Sequence, residues 1–204
     1  MKIYGDVLSG NCYKLKLICA LLNIPHEWIH TDIMKGETRT RAFLAMNPVG
    51  KVPTVQLDDG RYLWESNTIL NYLAHGSAFL PTEPFDLAKV QQWQFWEQYS
   101  HEPYIAVARF WMMFAPKEKL REKEHLIPEW HARGNAALAV MEDQLRKNDW
   151  FVAGHYSLAD IALYAYTHCA EDGGFNLRKY HAVSAWLDRV AQTKNHVRMG
   201  AKAA

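Results

Sequence analysis

The sequence predicts an α/β domain followed by an all-α domain, and three observations support this division. Strand and helix patterns alternate in the first third of the chain, two prolines and no periodicity mark residues 77–86, and the pattern beyond is helical almost throughout. We therefore divide the 204 residues into a domain at 1–76, a linker at 77–86 and a helical domain at 87–204.

The first half of the α/β domain is predicted to be a βαβ unit. Lys2–Tyr4 alternates as a short strand, a helical pattern follows and stops before Pro25, and His26–Ile29 is a second strand. A helix that connects two strands of one sheet implies that the strands are parallel.

The second half of this domain is predicted to be a ββα unit. A short helix lies around Arg39–Met46, and two apolar runs, Val52–Leu57 and Arg61–Leu63, are separated by Asp-Asp-Gly. Asp-Gly between two such runs is typical of a hairpin, so these strands are antiparallel. A helix over Ser66–Ala74 completes a mixed sheet covered by helices.

Helical periodicity dominates the remainder, in which no strand pattern of similar quality follows residue 65. The longest pattern is rich in aromatic residues, and Pro103 within it predicts a kink. In another pattern Ser157 and Asp160 form an S-x-x-D capping box, which nucleates a helix and carries no chemistry. The predicted helices are Leu87–Phe114, Lys123–Arg146, Ser157–His168 and Ala182–Lys194.

Composition excludes several classes of function. A net charge of +1 predicts no binding to nucleic acid or to an anionic membrane by bulk electrostatics. No apolar run approaches the ~20 residues that cross a bilayer, and the N-terminus lacks the pattern of a secretory signal. The three cysteines cannot all pair and form no CxxC, which favours reduced thiols in the cytoplasm. The histidine spacings predict no metal site.

The turn before the first helix offers a place to ionise a thiol. Ser9 and Asn11 bring a hydroxyl and an amide to the positive end of the helix dipole. Such donors can lower a bound thiol's pKa from ~8.5 by about one to three units. The alternative is that one of them only caps the helix. Cys12 suggests another alternative, a redox nucleophile, but it has no resolving cysteine nearby.

Two further stretches fit a peptide ligand. If the Val52–Pro53 bond is cis, the backbone groups of Val52 turn outward and can pair with a peptide; the alternative is a trans proline that only initiates a strand. Ser66 begins a helix whose N-terminus suits a carboxylate, and Glu65 can hold an ammonium group. Here the alternative is an ordinary helix cap.

Three stretches in order resemble the cytosolic glutathione S-transferase family: SGNCYK at 9–14, NPVGKVPTV at 47–55 and WESNTILNYL at 64–73. AGHYSLADIALYAY at 153–166 is similar to the family's buried capping motif, so the resemblance covers essentially the whole chain. It implies a thioredoxin-like first domain, an all-α helical-bundle second domain, and glutathione as co-substrate.

The resemblance assigns roles residue by residue. Lys51 and Val52, with Pro53 opening the strand, match the residues that hold the glycine carboxylate and the cysteinyl backbone. Glu65 and Ser66 match the pair that holds the γ-glutamyl end.

The turn itself departs from the family pattern. Ser9 matches the activating serine of the theta-like and zeta-like classes, but the turn is SGNC instead of SQPC or SSCS. Asn11 falls where some bacterial classes place a thiol-binding Asn or Cys, so Ser9 and Asn11 are both candidates. Tyr4, within the first strand, ranks below them.

The resemblance also implies an electrophile pocket walled by the first long helix of the all-α half. Tyr104 and Arg109 are the candidates there, with helix core or dimer interface as the alternative. The family expectation is a two-fold homodimer with these long helices at its centre.

Four functions remain to be distinguished. The leading one is a transferase that adds glutathione to an apolar electrophile in detoxification. Asn11 motivates a glutathione-dependent disulfide or peroxide reductase. A zeta-like isomerase of dicarboxylates would need more basic residues than the pocket offers. A non-catalytic glutathione-binding or assembly module is the fourth, although the site residues are all present.

Overall fold

The structure is a computed structural model that describes residues 1–200. Its contacts divide the chain into two compact units, Met1–Ser77 together with the residues from Lys194 onward, and Ala78–Thr193. The last described segment therefore packs with the first unit, whereas the sequence placed it in the helical domain. The Tyr13 hydroxyl anchors it by donating to the Val197 carbonyl at 2.7 Å.

The first unit is built on a four-stranded mixed sheet. Its strands are β1 (Lys2–Gly5), β2 (Glu27–His30), β3 (Thr54–Gln56) and β4 (Tyr62–Trp64), in the spatial order β2-β1-β3-β4. β1 pairs in parallel with β2 and antiparallel with β3, and β3 pairs antiparallel with β4. The βαβ–ββα order and the thioredoxin-like arrangement are thereby confirmed. β3 begins only after Pro53, because proline has no N–H for the ladder.

Three helices accompany this sheet: α1 (Gly10–Leu21), α2 (Arg41–Met46) and α3 (Ser66–Leu73), with a single 3₁₀ turn before α2. α1 and α3 pack against each other. Fully buried apolar residues of the two helices include Leu15 and Ile18 of α1 and Ile69 of α3. This packing brings the N-terminal turns of the two helices together.

The second unit is helical, as predicted. Its helices are α4 (Pro84–Trp96), α5 (Glu102–Met113), α6 (Lys117–Arg121), α7 (Ile127–Leu145), α8 (Leu158–Thr167) and α9 (His181–Ala191). The sequence did not predict α6, a five-residue helix with no buried residue and hence no apolar period. α7 begins four residues later than the predicted Lys123, at Ile127, and Glu124–Leu126 before it form a 3₁₀ turn.

The predicted kink at Pro103 takes the form of a wider turn. Residues 97–101, between α4 and α5, form a π-helical turn, and Pro103 lies in the first turn of α5. Proline cannot donate to the preceding turn and its ring collides with the carbonyl four residues earlier. A turn with one additional residue relieves that conflict without ending the helix.

The predicted capping box at the start of α8 is confirmed. The backbone N–H of Ser157 donates to Asp160 Oδ2 at 3.0 Å, and Trp186 Nε1 and Phe151 N donate to Asp160 Oδ1. Asp160 is fully buried, and burial raises its pKa to about 6. The carboxyl group therefore ties three segments of the second unit together.

Candidate functional site

Ser9 occupies the N-cap of α1. Its backbone is extended, and its Oγ accepts a hydrogen bond from the backbone N–H of Cys12 at 3.4 Å. The capping role that the sequence left open is therefore present. It does not remove the hydroxyl from the end of the helix, where the dipole favours negative charge.

Asn11 and Ser66 are in direct contact, although 55 positions separate them in the sequence. The Ser66 hydroxyl donates to Asn11 Oδ1 at 3.2 Å, and Ser66 is only 5% exposed. The first turn of α1 and the first turn of α3 thus meet through one side-chain hydrogen bond. The predicted thiol site and the predicted carboxylate site are parts of one cluster.

Lys14 is a third member of this cluster, and the sequence analysis missed it. The residue is fully buried, and its Nζ donates to Ser66 Oγ and to Asn67 Oδ1, each at 3.3 Å. A signal was present, because Lys14 is three positions after Asn11 and so shares its face of the helix. A lysine surrounded by apolar residues in α1 would have been the reason to examine that face.

Glu65 has an unusual backbone conformation. It is the N-cap of α3 with φ 69° and ψ 111°, a region that costs a non-glycine residue about 1–3 kcal/mol. Within residues 1–200 its side chain makes no capping hydrogen bond, and it is exposed. The alternative of an ordinary cap does not describe this pair, since Glu65 leaves the helix uncapped and Ser66 turns toward α1.

The loop before β3 is held by one buried amide. Asn47 Nδ2 donates to the Lys51 carbonyl at 2.8 Å and to Thr54 Oγ1 at 3.0 Å. The Val52–Pro53 peptide bond is cis, Pro53 is buried, and the Lys51 side chain is exposed. The sequence did not assign a role to Asn47, which fixes the backbone of the predicted peptide-binding segment.

Gly50 is required in the same loop. Its φ of +65° favours glycine, and a Cβ there would lie 2.6 Å from Arg39 Nη1 and 3.0 Å from the Thr38 carbonyl oxygen. A side chain at this position would push the loop away from its support.

Cys12 does not fit the redox alternative. Its side chain is fully buried, and burial raises the pKa of the thiol to about 12. A redox nucleophile must be exposed and ionised near neutral pH. Cys12 therefore belongs to the core beneath the turn.

The two pocket candidates of α5, Tyr104 and Arg109, differ in burial and in the groups that they contact. Arg109 is only 7% exposed, and its Nε donates to Asp172 Oδ2 at 2.9 Å, so its charge is directed into the second unit. Its expected use in orienting an anionic substrate stays a prediction. Tyr104 is half-buried, and the Arg133 guanidinium lies 5.4 Å from its ring centroid.

No cluster of three or more histidine, cysteine, aspartate or glutamate side chains in residues 1–200 is arranged to hold a metal ion. Over the same range no helix combines the length and apolar character needed to cross a membrane.

Comparison with known proteins identifies relatives of both units. A family model described as "Glutathione S-transferase, N-terminal domain" matches residues 8–75, and one described as "Glutathione S-transferase, C-terminal domain" matches residues 100–194. Glutathione S-transferase F10 of Arabidopsis thaliana is 32% identical over 184 residues, which cover 82% of this chain and 81% of that protein. Disulfide-bond oxidoreductase YfcG of Escherichia coli (strain K12) is 26% identical over 189 residues, 89% of this chain and 86% of that protein.

Solved structures similar to this chain are also glutathione transferases. A glutathione S-transferase from Pseudomonas fluorescens Pf-5 is 55% identical, covers 98% of both chains and superposes with a TM-score of 0.95. A glutathione transferase from Burkholderia graminis, solved with two glutathione molecules per subunit, has a TM-score of 0.79 and covers 95% of this chain and 84% of that one. Its identity of 22% restricts that second likeness to the fold.

Proposed function

Because the chain belongs to the glutathione S-transferase family and is a glutathione transferase, we propose that it ionises the glutathione thiol beside Ser9 and Asn11 and transfers the thiolate to an apolar electrophile. The thiol proton leaves to solvent, and the sulfur lone pair forms a bond to an electrophilic carbon. The leaving group departs with its bonding electrons or, in an addition, the product takes up a proton.

The turn before α1 can supply the free energy that is needed to ionise the glutathione thiol. Lowering a thiol pKa by one unit requires about 1.36 kcal/mol. A hydrogen bond to a charged group supplies about 1.5–3 kcal/mol, and the N-terminus of a helix about 0.3–1 kcal/mol. One good donor from Ser9 or Asn11, together with the end of α1, is enough to make a bound thiol largely ionised at neutral pH.

The remaining residues bind the tripeptide. Ser66 and the backbone N–H groups of α3 receive the γ-glutamyl carboxylate, and exposed Glu65 receives the ammonium group. The backbone of Val52, before Pro53, pairs with the cysteinyl residue, and Lys51 receives the glycine carboxylate. Solved structures of this fold contain glutathione, which supports glutathione as the ligand.

The contact between Asn11 and Ser66 is the observation that best supports the proposal. It brings the candidate thiol donor and the candidate carboxylate donor into one cluster within the first unit. A tripeptide held at Ser66 by its γ-glutamyl end then extends along the same surface that carries the turn of α1.

A pH titration of bound glutathione tests ionisation directly. Thiolate absorbance in the ultraviolet is followed from about pH 5 to 9, and we expect a midpoint well below ~8.5. Ser9→Ala and Asn11→Ala are compared with Ser9→Thr, which keeps the hydroxyl, and Asn11→Asp, which keeps the acceptor for Ser66 but removes the N–H donors. The residue that donates to sulfur is the one whose loss raises the midpoint by about one to two units.

Two results would contradict this function. Glutathione that binds but titrates near ~8.5 would indicate a non-catalytic binding module. Glutathione that does not bind would leave only the family and the fold.

A second candidate function is glutathione-dependent disulfide reduction. It is favoured by the match to a disulfide-bond oxidoreductase and by Asn11 in the turn. The glutathione thiolate attacks one sulfur of a disulfide and releases the other as a thiolate, and a second glutathione then releases glutathione disulfide. Measuring glutathione disulfide from a small disulfide substrate, against conjugate formed with an activated aryl halide, determines which reaction is faster.

We further propose that the protein is a homodimer. The aromatic side chains of Phe85, Phe95 and Tyr99 lie on or just after α4 and are 70%, 74% and 83% exposed. A large exposed apolar patch can indicate a protein–protein interface, and two-fold dimers are the commonest soluble oligomers. Sedimentation should give a dimer for the wild type and a monomer for Phe95→Glu, whereas Val140→Glu on α7 should remain dimeric. A monomeric wild type would contradict the proposal.

The electrophile pocket and the cellular role are also proposals. Tyr104 is the α5 candidate that we propose first for the pocket, because Arg109 is paired with Asp172. Tyr104→Ala should raise KM for the electrophile and leave KM for glutathione unchanged, and equal changes would exclude it. Three free cysteines fit a cytoplasmic protein with a role in detoxification, which cell fractionation and electrophile sensitivity of a deletion strain would test.

A further inference from the structure

The buried ammonium of Lys14 is hydrogen-bonded to the Ser66 hydroxyl. Lys14 Nζ has only donors to offer, and it donates to Ser66 Oγ at 3.3 Å. The Ser66 hydrogen therefore points away from Lys14, and it is directed to Asn11 Oδ1. A hydroxyl whose acceptor role is filled on one side presents its hydrogen to whatever acceptor lies on the other.

Lys14 is also held in place independently of Ser66. Its Nζ makes a second hydrogen bond, to Asn67 Oδ1 at 3.3 Å, and Asn67 is the second residue of α3. The positive charge thus lies beside the first turn of α3, where the helix dipole is also positive. Because Lys14 is fully buried, solvent screens this charge much less than it would screen a charge on the surface.

We propose that Lys14 is a positioning residue that makes the N-terminus of α3 selective for a ligand carboxylate, by orienting the Ser66 hydroxyl and adding a fixed positive charge behind it. This inference rests on the proposed function, because it concerns the γ-glutamyl carboxylate of glutathione. Lys14 acts through Ser66 and does not need to touch the ligand. The family resemblance assigned no role to Lys14.

The test is a comparison of two ligands in three proteins. Glutathione is compared with 4-aminobutyryl-cysteinylglycine, which lacks only the α-carboxylate of the γ-glutamyl end. Calorimetry measures both affinities for the wild type, for Lys14→Met and for Lys16→Met, a substitution of the same chemistry at a less buried lysine two positions along α1. Initial rates with an activated aryl halide separate KM from kcat.

We expect Lys14→Met to weaken glutathione binding about 10- to 100-fold, the range of a charge-assisted hydrogen bond. The analogue should lose less than about threefold, because it has no carboxylate for the charge to stabilise. KM for glutathione should rise while kcat at saturation stays within about twofold, since the thiol site is not altered directly. Lys16→Met should behave as the wild type.

A second variant tests the proposal if Lys14→Met does not fold. Lys14→Gln keeps an N–H donor for Ser66 and removes the charge, so it should show a smaller loss in the same direction. If neither Lys14 variant folds, Asn67→Ala removes the side-chain contact between Asn67 and the ammonium without placing an apolar chain in the core. It should then reduce the preference for glutathione over the analogue.

The failure of this inference is distinct from the failure of the function. Equal weakening of both ligands, or no weakening, would overturn the role of Lys14 while leaving glutathione binding and thiol ionisation intact. A wild type that binds neither ligand would overturn both. A wild type with no preference between them would show that the first turn of α3 does not read the carboxylate.

Discussion

Two helices of this molecule begin with a serine and a carboxylate, and they use them in opposite ways. At α8, Asp160 is fully buried and its oxygens accept hydrogen bonds from Ser157, Trp186 and Phe151. At α3, Glu65 is exposed and makes no capping bond among the described residues, and the Ser66 hydroxyl turns to another helix. The buried carboxylate of Asp160 stabilises the fold, whereas the exposed carboxylate of Glu65 is available to a ligand.

The largest effect in this comparison should come from Asp160→Ala. It leaves the N–H groups of Ser157, Phe151 and Trp186 without their acceptor in the core, and each such group costs about 1–3 kcal/mol. Allowing for partial relaxation, we expect the free energy of unfolding at pH 5 to fall by about 3–5 kcal/mol. Urea denaturation followed by circular dichroism measures it, and a loss below about 1 kcal/mol would contradict the capping role.

The pH dependence of stability should distinguish Asp160 from an ordinary exposed carboxylate. Burial raises its folded pKa to about 6, above the ~3.9 of an unfolded chain. The folded state therefore binds the proton more tightly, so the contribution to stability is fully present below ~3.9 and is lost as pH rises through about 6. Between pH 4 and 7 the stability advantage of wild type over Asp160→Asn should shrink by about 2–3 kcal/mol, and a constant difference would contradict the raised pKa.

Glu65→Gln should give the reverse result at α3. The Glu65 side chain is exposed and makes no capping hydrogen bond to α3. The free energy of unfolding should therefore change by less than about 0.5 kcal/mol. Glutathione affinity should fall about tenfold or more, because the amide cannot balance the ammonium group of the ligand. Calorimetric binding and urea denaturation of one preparation give both values. A loss of stability without a loss of affinity would make Glu65 structural.

Ser9→Ala should combine a small loss of stability with an effect on the bound thiol. Its cap bond to Cys12 N is long at 3.4 Å, so the loss should be near the lower end of the range for caps, about 0.5–1 kcal/mol. Thermal denaturation detects this, and Ser9→Thr, which can cap, should recover most of it. A thiol pKa that stays low in Ser9→Ala would assign sulfur binding to Asn11 alone.

The sequence predicted those elements whose cause is local. Asp59-Gly60 identified the hairpin, Pro53 the start of β3 and Ser157 with Asp160 the cap of α8, because turn, proline and capping chemistry act over a few residues. The sequence did not predict α6, because a short exposed helix has no apolar periodicity.

The contacts that assemble the candidate site could not be predicted. Asn11 meets Ser66 across 55 positions, and Lys14 meets Asn67 across 53. Neither contact leaves a pattern in a single sequence, because each depends on how α1 packs against α3. The family resemblance supplied Ser66 as a site residue, but it did not supply the buried lysine beside it.

The anchored last segment has a consequence for how the chain is made. The hydrogen bond from Tyr13 to the Val197 carbonyl spans 184 positions, so it forms only after residue 197 has left the ribosome. The sheet and its helices can assemble early, but the final contact on α1 waits until the entire helical unit has been synthesised. During translation the α/β unit therefore exists first without that contact. The contact can form only after the helical unit has been synthesised.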